Sequence, residues 1–362
     1  MQKHSVMRLV CSLVLVGFSG LMHVLVARDP QAFFPEYRTF CRAVAAMLAE
    51  LLEPVPFAVW DIFLAGFIVV ALVWLLVLAL RKKSLMRWVS WVVLVVSLNL
   101  AGFTLWANNH FAEPLSQDMG LVVSTYSKDE LAEATSYYLG RAAQLAPEQQ
   151  RTDDGSLTVP NFEEVAAKAG KAYEPLGQRW DVFADGSDAP AKKLLVWGRP
   201  LLMSGYVGMF WPTMAEAGVP EQCAAADMGF IMCHELAHRL SIASEEEANF
   251  AAYAACSESD DSYLKYSGEF NAFSYCISAL AQEDSAAAQA VIDSVAATYP
   301  EGVQMVLQDR EETIAHYDTL ETSFQVMGDS VNDTYLKSFG EDSGVHSYGL
   351  VVDYLISWQQ RG

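Results

Sequence analysis

The chain has 362 residues, is 52% hydrophobic and carries a formal net charge of −21, a hydrophobic fraction high for an ordinary soluble protein. The charge is uneven: residues 1–106 hold nine Lys and Arg against five Asp and Glu, and the remainder holds 14 against 39. An acidic body of this kind argues against nucleic acid as a partner, because phosphate contacts need Lys and Arg.

Three apolar runs fill the first third. Leu9–Ala27 has no charged residue, Ile62–Leu80 is continuously apolar, and Trp88–Trp106 is broken only by small or weakly polar residues and Asn99. Each has about the length a helix needs to cross the hydrocarbon core. "VLVA" before Arg28 is a poor cleavage site, so the first run reads as a retained span and not as a signal peptide. The turn "RKKSLMR" between the second and third runs is basic, as is the N-terminal "MQKHSVMR". The positive-inside rule then puts both in the cytoplasm, and the Arg28–Pro54 loop and residues 107–362 outside it. The expected division is a three-helix membrane region, 1–106, and an extracytoplasmic body, 107–362.

In the body, "SKDELAEATSYYLGRAAQLA" predicts a helix with Ser127 as N-cap and Glu130 completing a capping box. "NFEEVAAKAGKAYEPL" predicts a second helix. "PEQQRTDDGS" and "DGSDAPAKK" read as loops. "KLLVWGRPLLMSGYVGMFWP" predicts a hairpin or two short strands, with "YVGMFWP" a candidate edge strand for an extended peptide. From Ala224 onward the pattern is helical, over 224–241, 245–257, 267–282, 284–298, about 303–339, and 345–360. Cys223, Cys233, Cys256 and Cys276 show no CxxC spacing, and their pairing is open.

The chemistry lies in "CHELAHRLSIASEEEANF", Cys233–Phe250. His234 and His238, at i and i+4, project from one helix face and can share a zinc ion. Glu235 lies beside them, where a carboxylate can take the proton of a water polarised by the metal. A catalytic zinc needs a third protein ligand. His4, His23 and His110 lie in or near the membrane region, and His316 and His346 are distant in sequence. The acidic cluster Glu245, Glu246 and Glu247 is the natural supplier. A competing role exists, because Ser244 and Glu247 also spell a capping box. Tyr266, Tyr275 and Tyr348 are open candidates for stabilising an oxyanion.

"HELAHRLSIASEEEANFAAYAAC", followed by "YLKYSGEFNAFSYCISAL", resembles an uncharacterised bacterial family of membrane-anchored HExxH proteins, domain of unknown function 3810. The HExxH…EAN pattern is also similar to the gluzincins, in which a glutamate on the following helix completes a zinc site. The resemblance implies His234, His238 and Glu247 as zinc ligands and Glu235 as general base. It implies a membrane-anchored α+β fold, mostly helical, with three N-terminal transmembrane helices and a zincin-like outer domain carrying a small sheet. It also implies a multi-pass bacterial membrane protein acting on a peptide or protein substrate. Many gluzincins carry an Asp four residues after the ligand Glu; Ala251 stands here, so any orienting carboxylate must come from elsewhere. A reading of another class is a zinc-binding membrane sensor or scaffold that no longer cuts. An intramembrane protease fits poorly, since Asp227 precedes the HELAH helix and Arg239 lies in it.

Overall fold

The computed structural model describes residues 2–81, 85–184, 186–320 and 348–361. Among the described residues, three helices are long and apolar enough to cross a membrane: α1 (Gln2–Arg28), α3 (Val59–Leu80) and α4 (Met86–Ala107), which continues as a 3-10 turn to Phe111. Most of their large apolar side chains are exposed, as those of a membrane-spanning helix would be. α1 packs along α4, with Arg8 over the Trp91 ring at 4.3 Å and donating to Ser90 Oγ at 3.2 Å.

α2 (Glu36–Leu52) lies where the sequence reading had only an outer loop. Its buried residues, Arg38, Arg42, Ala45 and Ala49, repeat at spacings of four, three and four and define one helix face. Arginines in that stripe hid the periodicity. They are satisfied internally: Arg38 pairs with Asp118 at 2.5 Å, and Arg42 donates to the carbonyls of Asp181 and Val182 at 3.0 and 2.7 Å.

The body is mostly helical. α5 (Leu115–Met119) leads to α6 (Lys128–Leu145), whose Ser127–Glu130 capping box forms as expected. The second predicted helix is two, α7 (Phe162–Lys171) and α8 (Glu174–Gly177). The apolar, glycine-interrupted stretch gives β1 (Lys192–Leu194) and β2 (Met209–Trp211), separated by α9 (Gly198–Leu202). Each pairs with a strand the sequence reading left unassigned, β3 (Glu216–Pro220), parallel to β1 and antiparallel to β2. The order β1-β3-β2 leaves β2 at an edge. α10 (Met228–Arg239), α11 (Glu245–Glu258), α12 (Ser262–Glu283), α13 (Ser285–Ala296) and α14 (Pro300–Asp318) follow. The C-terminal helix is Tyr348–Arg361. The predicted helix at about 303–339 begins earlier, at Pro300; its part beyond residue 320, and His346, lie outside the described residues.

The body and the apolar helices are tied at the start of α3. The Glu216 carboxylate, on β3, accepts the Val59 and Trp60 amides, each at 3.0 Å, and so caps α3. Asp61, buried in the first turn of α3, accepts the amides of Leu195, Val196 and Trp197 at 2.8, 2.9 and 2.8 Å. The buried Lys192 ammonium donates to Glu53 O and Val55 O, at 2.8 and 2.6 Å, just beyond the end of α2. Buried charges are costly unless bonded, and each of these carries two or three bonds.

Candidate metal centre

α10 is buried on nearly all sides: Met228, Phe230, Ile231, Met232, Cys233, Leu236 and Ala237 are core residues, packed among α7, α11, α12 and β3. Its polar groups therefore need partners inside the protein. Arg239 donates to the carbonyls of Ser187 and Ala189, each at 2.6 Å, and burial lowers its pKa to about 10. Tyr173 Oη donates to Cys233 O at 2.8 Å. Trp106, near the end of α4, donates from Nε1 to His238 O at 3.1 Å and sets its ring edge-on to the imidazole, with centroids 5.7 Å apart.

The helix ends in a Schellman turn. The Ser241 amide donates to His238 O at 3.0 Å and the Ile242 amide to Ala237 O at 3.2 Å, with Ser241 left-handed at φ 65°. This turn places the Ile242 carbonyl 2.8 Å from His238 Nδ1. The bond holds a proton on Nδ1 and turns Nε2 toward His234, whose own Nε2 is 3.1 Å away.

Ile242–Ser244 then runs directly into α11, whose first residue is Glu245. Its Oε2 lies 3.2 Å from His234 Nε2 and its Oε1 3.7 Å from His238 Nε2. His234, His238 and Glu245 thus offer three ligand atoms within 4.8 Å of one another and could hold a metal ion. The Glu245 side chain is 39% exposed, so the cluster opens to solvent on that side. Burial raises the pKa of Glu245, but the two imidazoles outweigh it and hold the carboxyl well below its ordinary range. Burial lowers the pKa of His238, but Glu245 and then Glu235 outweigh it and lift it to about 9. The same negative field favours any cation at that point.

Glu247, the ligand that the sequence resemblance selected, faces elsewhere. Its Oε1 accepts the Leu115 amide at 2.7 Å and the Tyr354 hydroxyl at 3.0 Å, joining α11 to α5 and the C-terminal helix. Two residues advance a helix by about 200°, so Glu245 and Glu247 look to opposite sides. The Ser244–Glu247 capping box is absent as well: Ser244 Oγ donates to Glu246 at 2.6 Å and caps no amide. The third group beside the two histidines is therefore Glu245.

Glu235 sits beside the pair, 4% exposed. The Phe210 amide on β2 donates to its carboxylate, and a side chain on Gly208 would overlap that carboxylate. Its Oε2 has no hydrogen-bond partner among the described residues. Burial raises its pKa to about 7 against the two imidazoles, which lower it. His234 Nδ1 also lacks a partner among the described residues, and Ala251 is fully buried, so no carboxylate at that position orients His234.

The remaining candidates do not converge on the cluster. His23 Nδ1 meets Asn108 and His316 Nε2 meets Gln222 O. Tyr266 is buried in the core and donates to Asp309, and Tyr275 packs on Phe230. The side chain of Tyr348 lies outside the described residues. All six cysteines are free thiols.

A family model described as a protein of unknown function (DUF3810) matches residues 37–356. The chain belongs to the DUF3810 family. The match takes in nearly all of α2, with α3, α4, the HELAH helix and nearly all of the C-terminal helix, so two of the three apolar helices and the cluster lie within one family unit. No curated protein and no solved structure matches this DUF3810 member.

Proposed function

We propose that this protein is a membrane-anchored zinc metallopeptidase whose body lies outside the cytoplasm of a bacterial cell. The observation that carries the reading is the convergence of His234, His238 and Glu245 beside a buried, half-satisfied Glu235. Donor atoms bound tetrahedrally to zinc at about 2.0–2.2 Å are separated by about 3.3–3.6 Å. Here the two imidazole nitrogens are 3.1 Å apart, one Glu245 oxygen is 3.2 Å from that of His234 and the other is 3.7 Å from that of His238, close to that spacing. Two imidazoles and one carboxylate match the donor set of a catalytic zinc, which keeps a fourth position open. A bound zinc would polarise the scissile carbonyl and acidify water.

The protein's own groups supply the rest. Glu235, with one oxygen held by Phe210 and the other unpaired, takes a proton from water and passes it to the leaving amine. Edge strand β2 runs beside that carboxylate, where an extended peptide would lie along it. The half-exposed Glu245 marks the side from which water and substrate enter.

Metal analysis of the purified chain, with a peptide-library cleavage assay before and after chelation and zinc return, tests the proposal. One zinc per chain and cleavage that follows the metal are expected. Zinc bound at one per chain with no cleavage of any peptide favours the sensor or scaffold reading. No zinc bound removes both.

A further inference from the structure

α2 has a second face. Opposite its buried stripe it exposes Phe40, Met47 and Leu51, at 67%, 60% and 73%, in a line with Ala43. We propose that this face, with Leu195 and Val196, forms a collar seated in the lipid interface at the outer ends of the membrane helices. The inference rests on the three apolar helices being membrane spans, and not on catalysis.

Chain connectivity fixes the placement. α1 ends at Arg28 and α3 begins at Val59, and successive spans that cross in opposite directions put both of those ends on one membrane face. α2 joins them. Its 17 residues measure about 25 Å, and both of its ends are held at that face, so it runs along the bilayer surface. The start of α2 is also bonded to the same end of α4: Tyr37 Oη donates to Leu105 O at 2.6 Å and accepts from Asn108 at 3.1 Å.

The second part of the collar comes from another segment. Asp61, in the first turn of α3, holds the amides of residues 195–197 and fixes this loop at the end of that span. The loop presents Leu195 and Val196, 55% and 44% exposed. Two unrelated segments thus place large apolar side chains at the level where spans end.

Charge selects the apolar interior of the interface over anionic headgroups. Arg38 and Arg42 are turned into the body, and the charged neighbours exposed along the stripe are Glu36 and Glu50. An interfacial helix held by electrostatic attraction would show its basic residues to the lipid. Here the apolar side chains alone make the contact. The collar carries the candidate site with it, because Ala45 of α2 packs with Phe210 of β2 and with Trp106, which bonds to His238 O.

The test uses the full chain in vesicles of phosphatidylcholine alone. Cys11→Ser and Cys41→Ser leave four buried thiols, and a polarity-sensitive fluorophore is attached at Phe40→Cys, Met47→Cys or Leu51→Cys in turn. Val159→Cys in the body and Val70→Cys in the middle of α3 are controls. Labels on α2 are expected to be quenched several-fold more by a nitroxide near the lipid headgroup than the Val159 label. They should be quenched less than the Val70 label by a nitroxide deep in the acyl chain, and be shielded from iodide. Iodide quenching equal to that at Val159 overturns the proposal. So does shielding from both lipid nitroxides and iodide together with cross-linking between chains, which would make the face a contact between two copies.

Discussion

Glu245 and His234 meet across the turn that joins α10 and α11, with Oε2 3.2 Å from Nε2, while Glu247 points the other way into a bond with the Leu115 amide. Glu245→Gln is therefore expected to lower metal affinity by at least the roughly 10–100-fold that loss of a partner behind a metal ligand costs. Glu247→Gln should leave metal stoichiometry intact and lower stability by about 1–3 kcal/mol, because a buried amide and the Tyr354 hydroxyl lose a charged acceptor. Metal titration and thermal unfolding of both variants separate the two roles. Metal loss confined to Glu247→Gln would contradict the assignment.

Gly208 is the second position with a sharp expectation. A Cβ there overlaps the Glu235 carboxylate, which also accepts the Phe210 amide. Gly208→Ala should retain metal and fold but lose turnover by about 10²-fold, toward the loss expected when a general base is removed. Peptide hydrolysis with parallel metal analysis checks this. Unchanged turnover would mean that the position of Glu235 does not matter.

Ser241 occupies the left-handed position of the Schellman turn, and its buried hydroxyl has no partner among the described residues. Glycine adopts that conformation without a Cβ clash. Ser241→Gly is expected to stabilise the protein by about 1 kcal/mol, read as a higher unfolding temperature. Ser241→Val should destabilise it by more than that and disturb metal binding, since the same turn aims Ile242 O at His238. A destabilised Ser241→Gly would contradict this account of the turn.

Much of this was legible in the sequence, and the failures have definite causes. The i, i+4 histidines and the three apolar runs depend only on local periodicity, and each lies on a helix as expected. The start of α11 at residue 245 was legible, but the HExxH…EAN resemblance selects Glu247, which lies two residues and about 200° round the helix from Glu245. α2 was hidden because two arginines occupy its buried stripe, their charges satisfied by carbonyls and a carboxylate from distant segments. Gly208 matters only because β2 passes against Glu235, a tertiary contact with no local signature. β3, "EAGVP", holds a Glu, a Gly and a Pro, poor strand formers whose place is set by β1 and β2 on either side.

Glu269, on α12, sets a pH dependence of its own. It is fully buried on α12; Oε1 accepts from Arg141 at 3.1 Å, and Oε2 has no partner among the described residues. Burial raises its pKa from 4.5 to about 7 despite Arg141. The folded protein thus keeps this proton at pH values where the unfolded chain has released it. The stability that follows is complete below about pH 4.5, declines as pH rises, and is lost above about pH 7, a change on the order of 3 kcal/mol. Glu269→Gln should leave stability unchanged near pH 4 and raise it at pH 8. Equal effects at both pH values would contradict the burial argument.

The membrane arrangement is tested by reporter fusions placed at Gly362 and within residues 81–87. Three spans put them on opposite sides of the membrane. Reporters on the same side would contradict the three-span reading and the extracytoplasmic body together.

The central claim, hydrolysis by a metal-bound site with Glu235 as the proton acceptor, is tested most directly by comparing the wild-type chain with Glu235→Gln for zinc content and peptide turnover in the same preparation. Equal zinc, equal unfolding temperature and a fall in turnover of about 10²–10⁴-fold are predicted. Equal turnover in the two proteins, on a peptide whose cleavage depends on bound zinc, would contradict the role given to Glu235 and with it the proposed chemistry.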